Sequence, residues 1–288
     1  MTSRAQLLNI LEDFDIVGTL QYFALIERSK YTENFKDNVR AAAIASTLHL
    51  KSIDYAKKEY LTKEENDNDD DEKLKLLYID AYTTAKNHVS QSISKLNNAS
   101  ECTAGVFGAS LVLQRLEESF FCVHFLFILG KAYEGYAVAR LILEQIAWAS
   151  AAYKFNDIDD IRKIITTKSI SELKKLIPNA GKLYNFLSDK THIDYSNHSE
   201  FLKIIDGKGM VVLGDHNFLI YGKLLLRLAD IFTIVWECSQ YDFLQEFTSV
   251  KKENGNILIN EDRELQIKIK DYEQKINNLS NNSLNRVA

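Results

Sequence analysis

The sequence predicts an all-α fold: an antiparallel helical bundle with one small β-hairpin and a C-terminal amphipathic or coiled-coil helix. Three observations lead there. The 288 residues contain a single proline, Pro178, and only 11 glycines. A sandwich or barrel needs a turn residue every few positions, so this economy points to long helices joined by few turns. Apolar residues make up 46% of the chain and charged residues 26%, proportions that allow a buried core and exclude a disordered chain. Finally, Leu74, Leu77, Tyr78, Ala81, Ala85, Val89, Ile93 and Leu96 recur at steps of three and four, which draws one apolar stripe along a helix.

The elements are expected in this order. Residues 1–62 hold N-terminal helices: two short ones between residues 4 and 28, broken near Gly18, and one from about Asp37 to Leu61. Residues 63–73, almost entirely acidic and amide, cannot bury anything and repel one another, so they read as a solvated loop. The same cluster could hold Ca²⁺, but it lacks the glycine and distal glutamate of a calcium loop. Residues 74–250 form the main bundle. The striped helix comes first, followed by a helix through Val112, Leu116, Phe120 and Phe127 that Gly130 ends or kinks. Residues 132–155 form the next helix, and two helices this apolar are expected at the centre of the bundle.

A short helix over residues 159–167 follows. Ser169-Ile-Ser-Glu172 has the spacing of a capping box and is expected to open another helix, ending before Pro178. Leu183, Tyr184 and Leu187 mark the next. Residues 201–213 read as a hairpin turning at residues 206–209, and a long helix over 217–250 closes the bundle. Asn254-Gly-Asn256 reads as a linker. Over residues 257–280, Leu265, Ile269, Tyr272, Ile276 and Leu279 alternate steps of four and three. That seam implies a homo-oligomer or a protein partner through the C-terminal helix, or else a helix lying back on the bundle.

Several function classes lose support. The net charge of −5 gives no footprint for wrapping duplex DNA, whose affinity rests on phosphate neutralisation. Cys102, Cys122 and Cys238 lack Cys-x-x-Cys spacing and read as buried thiols of a reducing compartment. The N-terminus has no cationic start before an apolar core. The most apolar stretch, residues 120–129, falls far short of the roughly 20 residues a membrane span needs. A cytoplasmic protein off the membrane is expected. No phosphate loop, His-Glu-x-x-His or Gly-x-Ser-x-Gly motif occurs, so nothing calls for a cofactor.

The candidate site centres on Arg140 and Glu144. Tyr133, Ala137, Arg140, Glu144, Ala147 and Ala151 share one side of a helix otherwise apolar all round. Two opposite charges in an alanine-floored groove are either a structural ion pair or a functional site. A second cluster, Asp189, His192, Asp194, His198, Asp215 and His216, could ligate metal or move protons, as in a metal-dependent hydrolase, or form a polar loop. His124, inside the most apolar helix, reads as a satisfied core histidine.

Arg140-x-x-x-Glu144 in an apolar helix, followed by Leu183-Tyr-Asn-Phe-Leu-Ser-Asp-Lys-Thr-His192, resembles uncharacterised bacterial helical proteins. These look related to the HEPN superfamily, and the resemblance covers about residues 111–244. It implies an antiparallel bundle, often dimeric, serving bacterial stress response, toxin–antitoxin or anti-phage defence. Some members are metal-independent endoribonucleases with an Arg, four to six intervening residues, then a His on one helix. This chain departs from that pattern, because Arg115 to His124 is too long a gap and Arg140 has no His in range. An equivalent site requires Arg140, Glu144 and His192 to assemble between helices and act on or sense RNA or a nucleotide. The alternative is a non-catalytic helical interaction module.

Overall fold

The computed structural model describes residues 14–18, 22–27, 30–61, 69–95, 101–192, 202–205, 208–211, 217–254 and 256–285. The chain divides into two compact units, Met1–Asp71 and Glu72–Ala288.

The first unit departs from the expected run of helices. Strands β1 (Phe14–Gly18) and β2 (Phe23–Glu27) pair antiparallel, Phe14 opposite Glu27 and Gly18 opposite Phe23. The apolar residues taken as helical are short runs rich in β-formers, and Val17 and Ile26 are buried; residues 1–13 lie outside the described residues. The expected single helix over 37–61 is also two pieces. Helix α1 (Glu33–Thr47) starts at the Thr32 cap, whose hydroxyl accepts from Phe35 N–H. It ends where His49 takes φ 53°. Helix α2 (Ile53–Ala56), capped by Ser52, then widens into a π turn over Lys57–Leu61. Ala41, Ala45 and Ala56 form the small core between them.

Helix α3 (Asp69–Ser94), nearly all of it in the second unit, takes in the end of the acidic run. Carboxylates gain from the positive end of a helix, so the loop expected to reach residue 73 gives way to helix from Asp69; residues 62–68 lie outside the described residues. Of the stripe, Tyr78, Ala81, Ala85 and Val89 are buried and Leu74, Leu77 and Ile93 half-buried, while Leu96 lies outside the described residues. Helix α4 (Ala104–Ile128) begins at Thr103, whose hydroxyl caps Val106 N–H at 3.2 Å. It ends in a Schellman turn: Lys131 N–H donates to Leu126 O, Gly130 N–H donates to Phe127 O, and Gly130 sits at φ 69°. Helix α5 (Ala132–Ala152) returns along α4.

Helix α6 (Ile158–Ile161) is a single turn, and α7 (Thr166–Leu176) starts four residues earlier than the capping-box reading required. Ser169 lies inside α7, where its hydroxyl donates to Ile165 O. Helix α8 (Ala180–Thr191) follows Pro178. Strands β3 (Leu202–Ile205) and β4 (Lys208–Val211) form the expected hairpin.

Helix α9 (Phe218–Ser239) joins α4 and α5 at the centre of the bundle, and nearly all of its residues from Leu224 to Ser239 are buried. Its neighbours are α4, α5 and α10. It stops eleven residues short of the expected end, and a buried carboxylate holds the chain that follows. Glu237 accepts from Thr248 N–H (2.9 Å), Thr248 Oγ1 (2.8 Å), Ser249 N–H (2.8 Å) and Val250 N–H (2.9 Å). A carboxylate with four donors meets the requirement that a buried charge be satisfied.

The expected linker is the turn of a third hairpin. Strands β5 (Val250–Glu253) and β6 (Asn256–Ile259) pair, with Glu253 opposite Asn256 and Asn254 at φ 51°. An Asn-Gly pair between short apolar runs is a hairpin signal. Helix α10 (Glu264–Asn285) then lies on α9, with Leu265, Ile269 and Tyr272 buried. Tyr272 donates to Phe218 O at 2.9 Å and passes over Gly222, where an added Cβ would meet its hydroxyl at 2.2 Å. Arg263 grips Asp230 through two bonds, 2.6 and 2.8 Å, both side chains being about one-tenth exposed.

Candidate functional site

Helices α5 and α8 pack together, partly through Tyr136 set edge-on to Phe186, with ring centroids 5.7 Å apart. At one end of this contact, α5 presents Tyr133, Arg140 and Glu144, and α8 presents Tyr184 and Thr191. Positions 133, 140 and 144 lie one and two turns apart on a single helix side.

Arg140 organises the cluster. Its Nε donates to Glu144 Oε1 at 2.9 Å, Nη1 to Thr191 Oγ1 at 3.3 Å and Nη2 to the Tyr184 hydroxyl at 3.1 Å. The guanidinium also lies over the Tyr184 ring, 5.2 Å from its centroid, adding a cation–π attraction. Thr191 Oγ1 donates back to Leu187 O at 2.8 Å, and Tyr133 donates to Thr191 O at 3.2 Å. Tyr133 therefore satisfies the last carbonyl of α8, and the helix's negative dipole end faces a cation.

Arg140 and Glu144 are 29% and 26% exposed, so the pair lies at a groove wall open to water, not in a sealed interior. Burial pulls the Arg140 guanidinium down. The bonds to Glu144 and Tyr184, with the Glu144 charge, more than reverse this and leave its pKa above the ordinary arginine value. Of the expected alanine floor, Ala147 and Ala151 are buried and Ala137 is exposed.

His192 follows Thr191 as the last residue of the α8 cap. Its N–H donates to Ser188 O at 2.9 Å, and its side chain is exposed. The backbone thus brings His192 next to the Arg140 cluster. Sequence reasoning missed Tyr184 and Thr191 as partners; their separation of seven residues, two turns of one helix side, was the available signal.

Asp194, His198, Asp215 and His216 lie outside the described residues. Among the described residues, no group of three His, Cys, Asp or Glu side chains could hold a metal ion, and no helix is long and apolar enough to cross a membrane. Of the cysteines expected to be buried, Cys102 and Cys122 are exposed; Cys238 is buried, and burial with the Glu237 charge pushes its thiol up to about 12.

His124 is the satisfied core histidine its position suggested. Its ring stacks on Tyr82 at 3.6 Å, and Nδ1 lies 2.9 Å from the Tyr78 hydroxyl. Burial, helped by the Lys86 charge, lowers its pKa from 6.5 to about 3. The folded state therefore holds this ring neutral, while the unfolded chain protonates it below pH 6.5. Stability from this residue is full above pH 6.5 and is lost as pH falls toward 3, at up to about 1.4 kcal/mol per pH unit. Urea unfolding at pH 6.5 and 4.5 should show the wild type losing about 2 kcal/mol more than His124→Gln. Equal losses would mean that the ring titrates normally.

Compared with known proteins, the chain matches no family model, no curated protein and no solved structure.

Proposed function

We propose that this chain acts on or senses an RNA or nucleotide phosphate at the groove where α5 meets the end of α8. In this reading Arg140 is the phosphate-gripping cation and His192 the proton-transfer group. The observation that carries the proposal is the state of Arg140. Three of its five N–H groups are engaged, by Glu144, Thr191 and Tyr184, which leaves two N–H donors among the described residues on a part-exposed, oriented guanidinium. A fixed cation beside an exposed histidine is what metal-independent phosphodiester cleavage needs. His192 takes the proton of the attacking hydroxyl as its oxygen bonds to phosphorus, the bond to the leaving oxygen breaks and that oxygen takes the proton back from His192, while Arg140 offsets charge building on the phosphate. Glu144 orients Arg140 and does not touch the substrate. The HEPN-like reading supplies the setting: a cytoplasmic protein of bacterial stress response or phage defence.

Three variants test this. Arg140→Ala should cost on the order of 1–2 kcal/mol of stability, since the pair is part-exposed. Arg140→Lys keeps the charge but loses the planar fork, and RNA degradation or growth arrest on expression should fall at least about tenfold. His192→Ala should leave the melting temperature unchanged and abolish the activity. If activity tracks stability across the set, or the wild type has none, Arg140 is only a tie between helices.

A second reading, a non-catalytic interaction module, is favoured by Phe107, Leu111 and Leu141. These lie exposed on the paired helices α4 and α5. A homo-oligomer or protein partner would engage this face more readily than the C-terminal seam, whose Leu265, Ile269 and Tyr272 are buried on α9.

A further inference from the structure

A cleft of about 810 Å³ opens between the start of α8, the outer side of α9 and α10, within the size range of small-molecule sites. Leu183, Phe186 and Ile269 supply apolar wall, and Lys182, Lys223 and Arg227 stand among the lining residues. On α8 the cleft takes positions 182, 183 and 186, a different side from the Tyr184 and Thr191 positions that meet Arg140.

The charges in the cleft do not balance. At its base, Asp230 and Arg263 neutralise each other through two short bonds. Glu273 serves two cations at once, Lys223 at 2.6 Å and Arg227 at 3.3 Å. Lys182 is exposed and has no ionic partner among the described residues. Four cations therefore face two carboxylates, a surplus of two positive charges in a chain whose net charge is −5. The start of α8, where the Asn179 side chain makes no cap bond, opens on the same cleft and adds the positive end of a helix.

We propose that this cleft binds an amphiphilic organic anion: a phosphate monoester or carboxylate head on an apolar body. The head sits among Lys182, Lys223 and Arg227, and the body lies against Leu183, Phe186 and Ile269. Lys223 and Arg227 share one carboxylate, so an incoming anion completes their pairing without breaking an ion pair. The apolar wall gains from covering, which a bare inorganic anion cannot provide.

The test is a fluorescence titration of the full chain with anilinonaphthalene sulfonate, an amphiphilic anion that brightens on leaving water. Octyl phosphate, octanoate, inorganic phosphate and octanol serve as competitors. Binding should saturate at one equivalent and be displaced by octyl phosphate or octanoate, and the tighter of the two identifies the head group. Inorganic phosphate and octanol should displace it only weakly. Lys182→Glu, which breaks no ion pair, and Arg227→Gln should each raise Kd at least about fivefold, while Lys163→Glu, on the turn after α6, leaves it unchanged. Non-saturable binding, displacement by octanol as effective as by the anions, or a Kd indifferent to both cleft variants would overturn the proposal. Circular dichroism of each variant ensures that the comparison is between folded proteins.

Discussion

Replacing Glu237 by leucine should destabilise the protein by about 4 kcal/mol, a large fraction of a typical domain's margin of about 5–15 kcal/mol. The carboxylate accepts three backbone N–H groups and one hydroxyl from residues 248–250, and Ser249 and Val250 are themselves buried. Leucine fills a similar volume and leaves those donors without an acceptor in a place water does not reach. An unsatisfied buried donor costs about 1–3 kcal/mol, so two of them are enough for the predicted loss. Glu237→Gln retains one oxygen and turns an NH₂ toward the same donors, and should lose about half as much. Urea unfolding followed by circular dichroism measures both. If Glu237→Leu unfolds within about 1 kcal/mol of the wild type, the segment after α9 finds its bonds elsewhere and the carboxylate does not hold it.

Asp230→Ala is the second large expected effect, about 3–5 kcal/mol, because it strands the Arg263 guanidinium in a nearly dry site. Arg263 would keep only Asn260 O at 3.0 Å and Gln266 Oε1 at 3.2 Å, neither of them charged. Removing both partners should cost much less than removing one. Asp230→Ala combined with Arg263→Met is therefore expected to be more stable than Asp230→Ala alone, with a coupling energy of about 2 kcal/mol in the cycle. Strict additivity would show that the two side chains are not mutually dependent. The same pair fixes the start of α10 on α9, so proteolysis near residue 263 offers a local readout.

Most of the stripe read from Leu74 to Leu96 was legible because a helix burying one face writes its period directly into the sequence, and Tyr78, Ala81, Ala85 and Val89 are its buried side. The hairpin over residues 202–211 was legible because a turn and two short runs are local features. Where strands were taken for helices, as in β1 and β2, the runs were too short for periodicity to separate the two. The end of α9 was not legible either: nothing near residue 239 breaks a helix strongly, and the chain turns away to bring residues 248–250 to Glu237. Asp230 and Glu237, the two charges in the otherwise uncharged stretch after Arg227, were the signal that something waited to satisfy them.

The candidate site divides the same way. Composition and spacing by themselves determined that the chain is helical and that Arg140 and Glu144 face one another, because a separation of four residues on a helix requires it. Only the tertiary structure decided that α8 lies against this side of α5. That packing supplies Tyr184 and Thr191 as further partners, leaves Arg140 part-exposed and carries His192 to the same end. It also decided that Leu265, Ile269 and Tyr272 of the last helix's apolar seam are buried against α9 within the chain. A periodic seam fixes that a face must be buried but not what buries it, since the hydrophobic effect has no direction of its own and the partner is chosen by chain connectivity and shape.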